Sequence, residues 1–241
     1  MRNHTAVRPN AVRRIVNFGK VFAGSSEADD WMDSMDVPYE FETQRLSLRQ
    51  WKAVDREPFA ALNADPMVMA HFPAPLSRAQ SDAMADLCER LIATRRWGAW
   101  ATEIRATGEF IGFVGLHVPR DDLPTSPCIE ILWRLAHPYW HKGYATEAAR
   151  GALHVGFEVL GLPEIVSFVV PSNTRSRAVM ERLGMMMDPA TFEHPGLPEG
   201  HVLRTHCIYR LSRKRWLAGR VGRRLDVFRL VTTSPPGVAS P

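Results

Sequence analysis

A run of small residues constrains this chain more than any other feature. Ala145, Ala148, Ala149, Ala152, Val155 and Gly156 recur at helical spacing directly after Gly143. One face of that helix, read over residues 144–160, therefore carries little bulk and can approach a sheet closely. It follows a strand read over residues 128–135, through the turn Trp140-His141-Lys142-Gly143. A strand–turn–helix unit of this kind gathers free backbone N–H groups at one spot, and the helix dipole adds positive potential there. Such a place suits a phosphate or pyrophosphate. The turn is neither GxGxxG nor the GxxxxGK of a P-loop, which argues against a dinucleotide fold and a nucleoside triphosphatase.

Other elements surround this unit. Leu46 and Leu48 alternate with Arg45, Ser47 and Arg49, predicting a strand over residues 42–49. Helices are predicted over residues 54–63 and, restarted by Asp65-Pro66, over a short stretch ending near His71. Ser77 and Gln80 form a capping-box pair ahead of Met84, Leu87, Cys88, Leu91 and Ile92, the apolar face of a longer helix. Residues 97–104 and 110–118 read as strands joined at Ala106-Thr107-Gly108, and residues 119–127 as a Pro- and Asp-rich loop. The strand over residues 164–170 is apolar on both faces, as in the middle of a sheet. A helix over residues 172–183 ends at Gly184, and a last hairpin runs over residues 185–211. The order predicts a mixed α/β (α+β) sheet with the anion turn near its middle.

The net charge of +4 is unevenly spread. Residues 213–241 hold 7 Lys and Arg against 1 acidic residue, whereas residues 41–212 hold 18 against 19 and residues 1–40 hold 5 against 6. A near-neutral body argues against nucleic-acid binding by the main domain and leaves any such contact to the tail. There, Leu217, Val221, Leu225 and Phe228 recur among arginines and predict a basic amphipathic helix over residues 213–230, suited to RNA, an anionic membrane surface or its own domain. No apolar run is long enough to span a bilayer, and the first twenty residues lack a hydrophobic signal region. Cys88, Cys128 and Cys207 form no CxxC pattern, so reduced cysteines in a cytoplasmic protein are expected. Residues 1–40, with Glu27, Asp29, Asp30, Asp33 and Asp36 clustered, read as a flexible arm or a one-helix addition.

Two segments carry a family resemblance. Trp140-His141-Lys142-Gly143-Tyr144-Ala145 resembles the Q/R-x-x-G-x-G/A turn with which the GNAT N-acetyltransferase superfamily binds acetyl-CoA, with Trp in the first place. With Thr146-Glu147-Ala148 it resembles W-G-K-G-Y-A-T-E-A of the branch similar to bacterial ribosomal-protein N-terminal (Rim-type) acetyltransferases, differing at His141. Asn173 to Met185 resembles the N-x-x-S-x-x-V-x-E-K-L-G-F/M segment of the same branch. The resemblance covers roughly residues 41–213 and implies the GNAT fold: a mixed, mostly antiparallel twisted sheet of about 6–7 strands flanked by helices, with acetyl-CoA in a central V-shaped splay. The domain is expected over residues 41–212, between an N-terminal extension (1–40) and a basic tail (213–241).

An amine attacking a thioester must lose a proton, the developing oxyanion needs a donor, and the leaving thiolate needs a proton. The resemblance places Glu130 as general base; the other reading is a strand glutamate paired with Arg134. The tyrosine that serves as acid in much of the superfamily falls at Met180, and Ser176 takes that role by likeness to the ribosomal branch. As a plain helix residue, Ser176 would instead bond its own backbone. Asn173 resembles the residue that bonds the pantetheine arm, and is otherwise a helix cap. The oxyanion donor is expected at a backbone N–H near Leu135. The implied donor site comprises Arg134, Leu135, Trp140, His141, Lys142, Gly143, Tyr144, Ala145, Thr146, Asn173 and Ser176.

The loop holding His194, Glu199 and His201 resembles an F-x-H-P-x-L-P-E-G-H segment of the same branch and is expected, with Trp97, to rim the acceptor site. Its spacing fits no common zinc pattern, and no metal is expected. The resemblance implies direct transfer to a primary amine (a protein N-terminus, a lysine or a small molecule) by a monomer or homodimer. The rival readings are a non-catalytic acyl-CoA-binding sensor or scaffold, and an RNA-associated factor acting through the tail.

Overall fold

Period-2 apolar patterning and close glycine contacts gather this chain around one sheet. In the computed structural model, residues 39–119, 123–220 and 228–231 are described. The N-terminal extension up to residue 38, with its acidic cluster, lies outside the described residues, as do 120–122, 221–227 and 232–241. In chain order the elements are β1 (Glu40–Glu42), β2 (Leu46–Arg49), α1 (Arg56–Ala64), α2 (Arg78–Arg95), β3 (Ala99–Ile104), β4 (Glu109–His117) and β5 (Glu130–Leu135). There follow α3 (Tyr144–His154), β6 (Glu164–Val169), α4 (Thr174–Arg182), β7 (Met186–Glu193), β8 (Thr205–Ser212), α5 (Arg213–Arg220) and β9 (Arg229–Val231). The strands form one sheet in the order β7-β8-β6-β5-β4-β3-β2-β1-β9. Every neighbouring pair is antiparallel except β5 and β6, which are parallel.

The small-residue helix does what its pattern predicts. Ala148, Ala149, Ala152 and Val155 are fully buried. A Cβ on Gly151 would come within 2.2 Å of the Phe41 ring, and one on Gly156 within 2.6 Å of Ile165, so α3 lies as close to the sheet as its backbone allows. The opposite face is covered by α1 and α2. Phe59 of α1 meets the rings of Trp51, Phe110 and Phe113, and α2 presents Ala85, Cys88 and Ile92 inward. Each large side chain buried here contributes about 1.5–3 kcal/mol before entropy is counted. Ser77 caps α2 as its spacing predicts, with its side chain accepting from Gln80 N–H and Gln80 Oε1 accepting from Ser77 N–H.

Four expectations need correction. The sheet has nine strands rather than 6–7, because β1 and β9 are three-residue strands too short to show a period. Residues 42–49 form a hairpin rather than one strand, since the Thr43 side chain accepts from Leu46 N–H and turns the chain between β1 and β2. Residues 66–71 are turns rather than a helix, with Asp65 Oδ1 taking the Met67 N–H at 2.8 Å. The tail helix is described over Arg213–Arg220 and does not reach residue 230, because Arg229–Val231 is an extended strand on β1, where Phe228 packs against Phe41 and His154 at 5.3 and 4.0 Å between ring centres.

Candidate active site

The parallel pair β5–β6 makes the site, because it pairs at one end only. Glu130 is in register with Val166, and Val166 N–H donates to Ile129 O at 2.9 Å. The Ser167 hydroxyl donates to Ile131 O at 2.9 Å, and beyond it the strands part. Ala136 N–H bonds Ile111 O on the β4 side at 2.9 Å, so by strand alternation the Leu135 N–H points into the gap. The gap opens into a cleft of about 810 Å³. Arg134, Leu135, Trp140, His141 and Gly143 line it, followed by Tyr144, Ala145 and Thr146 on α3 and by Asn173 and Ser176 at the start of α4. These expected donor-site residues are thus brought together from three elements.

At the mouth, the turn has the backbone its sequence demands. Gly143 caps α3 at φ +80°, and His141 also sits in the left-handed region at +60°. A Cβ on Gly143 would lie 3.4 Å from Arg45 Nη2, in the space before the helix N-terminus. Lys142 does not line the cleft; its carbonyl accepts from Arg45 Nη1 at 3.0 Å and its ammonium lies 5.5 Å from the Tyr139 ring. Arg45 is a site residue that spacing could not reveal, 102 positions from its partner. Its Nε donates to Glu147 Oε2 at 2.6 Å, its backbone N–H and the Thr43 hydroxyl both donate to Glu147 Oε1, and its guanidinium covers Tyr144 at 4.5 Å. Glu147 thereby ties the first turn of α3 to the β1–β2 hairpin. With Arg45, Arg150, Arg175 and Arg182 along the walls, the cleft is strongly cationic.

Trp140 explains its own departure from the Q/R pattern. Its indole N–H donates to Leu135 O at 2.8 Å, and its ring carries the Arg175 guanidinium at 4.2 Å. The residue thus pins the end of β5 to the first turn of α4. Asn173 caps α4, its side-chain oxygen accepting from Ser176 N–H at 3.1 Å. Met180, at the position of the absent tyrosine, is 1% exposed.

Glu130 stands apart from the cleft lining, at the closed end of the splay. Its partner is His117 rather than Arg134: Oε2 and the imidazole Nε2 are 2.6 Å apart, and the two residues face each other across β4 and β5. Burial pushes the Glu130 carboxyl up to about 8, offset only in part by a hydrogen bond from Phe168 N–H. Burial, with the Arg95 charge nearby, pushes His117 down to about 4. Both shifts favour the neutral forms, and the proton between Oε2 and Nε2 belongs to the pair. His117 lies 13 positions from Glu130, and only the register of β4 on β5 brings them together.

The expected rim is not assembled at the cleft. Trp97 is 4% exposed and belongs to the core. His194, Glu199 and His201 lie on the β7–β8 connection, where His194 Nδ1 accepts from Gly196 N–H and His201 Nδ1 from Leu203 N–H, both at 3.1 Å. Phe168, whose backbone N–H donates to the Glu130 carboxyl, meets the Phe192 ring at 5.4 Å, with the His206 and His194 rings tilted against it beyond. Among the described residues, no three His, Cys, Asp or Glu side chains gather where a metal ion could sit, and no helix is long and apolar enough to cross a membrane.

Comparison with known proteins agrees with this geometry. Residues 45–186 match the family model of the acetyltransferase (GNAT) domain. The chain is 30% identical over 152 residues to the uncharacterized protein YkkB of Bacillus subtilis, covering 63% of this chain and 87% of that one. It is 35% identical over 121 residues to the FsC-acetyl coenzyme A-N(2)-transacetylase of Aspergillus fumigatus, covering 46% and 49%. Among solved structures, an acetyltransferase from Agrobacterium tumefaciens is similar with a TM-score of 0.59 and 27% identity, over 80% of this chain and 99% of that one. The chain belongs to the GNAT acetyltransferase family. It is an acyltransferase of the N-acetyltransferase type.

Proposed function

We propose that the protein moves an acetyl group from acetyl-CoA directly to a primary amine, and that it belongs to the branch resembling ribosomal-protein acetyltransferases. The observation that carries this reading is the one-ended pairing of β5 and β6. It leaves the Leu135 N–H directed into a cationic cleft that ends at the Gly143 cap of α3. The residues fit such a donor: backbone N–H groups and arginines surround the place where a pyrophosphate would lie, and Gly143 keeps it open. The name of the Aspergillus fumigatus relative supports acetyl-CoA as donor, and the Trp140 to Ala148 stretch supports the branch.

Acetyl-CoA supplies an activated acyl group with a good thiolate leaving group. The chain supplies the rest. Glu130 takes the ammonium proton, and His117 shares it and relays it outward, being the more exposed of the two at 33% against 16% of side-chain area. The Leu135 N–H donates to the oxygen on which charge develops. Ser176, on the cleft wall, returns a proton to the leaving sulfur. Cys128 and Cys207 are buried and line no part of the cleft, in keeping with transfer without an acyl-enzyme.

The test is release of free CoA from acetyl-CoA across a panel of amines and peptides, for the wild type, Glu130→Gln and Ser176→Ala. Turnover should fall by about 10²–10⁴ in the Glu130 variant. Binding of acetyl-CoA with no CoA release from any amine would instead support the sensor or scaffold reading.

A further inference from the structure

Arg134 is a half-buried cation with no anionic partner among the described residues. Its side chain leaves β5 on the α1–α2 face and lines the cleft, with Nη1 donating to Asn63 Oδ1 at 2.6 Å and lying 4.0 Å from Met84 Sδ. The guanidinium lies over the Phe72 ring at 4.1 Å and faces Phe113 at 5.4 Å. Among the described residues no carboxylate pairs with it, and its Nε is buried with no hydrogen-bond partner. Burial pulls its pKa down to about 10.

The rest of the chain treats its arginines differently. Arg49, which is buried, is gripped by Asp55 and Glu103. Arg45 at the cleft mouth is held by Glu147. A guanidinium whose buried Nε lacks a partner costs stability, and that cost is recovered when an anion of the right shape fills the place. Arg134 is also held in one pose. Asn63 is fully buried, and its amide nitrogen donates to Ser81 Oγ at 2.9 Å, which turns its oxygen toward Nη1. With Nη1 occupied and the ring face stacked on Phe72, what remains is the edge formed by Nε and Nη2. Two parallel N–H groups on that edge match the two oxygens of a carboxylate.

We propose that Arg134 is the carboxylate-recognition residue of the acceptor site, so that the amine acetylated here is a small amino-acid-like molecule bearing a carboxylate. The proposal rests on the acetyltransferase reading above. Arg134 immediately precedes Leu135, whose N–H faces the gap, so the carboxylate site adjoins the acyl site. That suits acceptors whose amine and carboxylate are a few bonds apart. Val68, His71 and Phe72, from the turns after α1, form the neighbouring wall. Glu130 stands four residues back on the same face of β5, ~13 Å between Cα atoms.

The experiment pairs α- and ω-amino acids with their methyl esters and measures CoA release by the wild type, Arg134→Gln and Arg134→Lys. The ester's ammonium is the more acidic, which favours the ester intrinsically, so a preference for the acid runs against that trend. The wild type should prefer the acid by at least about tenfold in kcat/KM, mainly through acceptor KM. Arg134→Gln should erase the preference, Arg134→Lys should keep part of it, and the KM for acetyl-CoA should change little in either. Equal use of acid and ester by the wild type overturns the proposal, as does a preference that survives Arg134→Gln. A raised acetyl-CoA KM with an unchanged acid-to-ester ratio also overturns it and returns Arg134 to the donor site. Should no amine turn over, the acetyltransferase reading fails. Calorimetric titration of CoA-saturated wild-type protein with N-acetyl amino acids against their amides then decides the carboxylate site, with equal or absent binding overturning it. That titration also decides the matter if Arg134→Gln does not fold.

Discussion

Glu130 and His117 sit within hydrogen-bonding distance in surroundings that favour the neutral form of each. Desolvation acts on them in opposite directions, raising the carboxyl to about 8 and lowering the imidazole to about 4. A base that must accept a proton works only in its ionised form. Below pH 8 that form falls tenfold per pH unit, so kcat/KM should rise with pH through the neutral range and level off above about 8. The acceptor's own ammonium titrates as well, and Glu130→Gln measured with the same acceptor separates the two. The ratio of wild-type to variant kcat/KM should climb with an apparent pKa near 8 that belongs to the pair. A flat ratio would remove Glu130 from the proton path. Of this pair only Glu130 was singled out from the sequence, through the family resemblance that aligns it with a fourth-strand glutamate. His117 enters through strand register, and Arg45 through a hairpin closing over α3; chain spacing encodes neither contact. Trp97 was misplaced for the complementary reason, since an aromatic residue at a strand start reads alike whether it lines a cleft or fills a core.

At the scale of elements, the splay depends on how closely β4 approaches β5. Gly112 sits at φ +140°, where a side chain is strained, and a Cβ there would lie 2.2 Å from Arg134 O and 2.8 Å from Leu135 Cα. Both contacts are backbone atoms of the strand end that faces the cleft, and neither can swing aside. Gly112→Ala should therefore lower stability by ~1–3 kcal/mol in a urea titration. It should also weaken acetyl-CoA binding, because the only relief is to push Leu135 out of register. A stability loss with unchanged affinity would show that the strand end is not what positions the donor. The long elements were readable from pattern alone: the capping box of α2, the alanine face of α3 and the apolar run of β6 all stand where periodicity puts them. Residues 66–71 misread as a helix because Asp-Pro is a good helix start, whereas here the Asp65 carboxylate closes a turn on Met67. The α3 helix ends early in a π-turn over Val155–Val159, a hydrogen-bond slip that leaves the apolar spacing intact and so hides from sequence.

For the whole molecule, the tail belongs to the fold as well as to the surface. A basic amphipathic helix over residues 213–230 would place Phe228 on an apolar stripe; instead Phe228 leads into the strand β9 and packs against the core beside β1. The first part of the tail docks through backbone carbonyls: Arg213 donates to Phe157 O at 3.0 Å, Arg215 to Gly184 O at 2.8 Å, and Trp216 stacks on Phe157 while donating to Glu158. Its arginines are thus partly spent on helix ends and loop carbonyls, which composition counts only as charge. Further on, Arg229–Val231 pairs with β1 and satisfies the outer backbone groups of that three-residue strand. Phe41, fully buried, touches Phe228 on one side and α3 on the other through Gly151, so the tail bears on the helix that carries the anion turn. Phe228→Ala should cost ~1–3 kcal/mol of stability, less than a fully buried phenylalanine because the ring is only partly enclosed. It should leave the acetyl-CoA dissociation constant within about twofold, since the Arg45–Glu147 bridge holds α3 at the mouth independently of β9. Chemical denaturation and calorimetric titration of the full chain measure both quantities. An unaltered midpoint would show that the tail adds nothing to the fold, and a large loss of affinity would mean that the sheet edge and the donor cleft act as one unit.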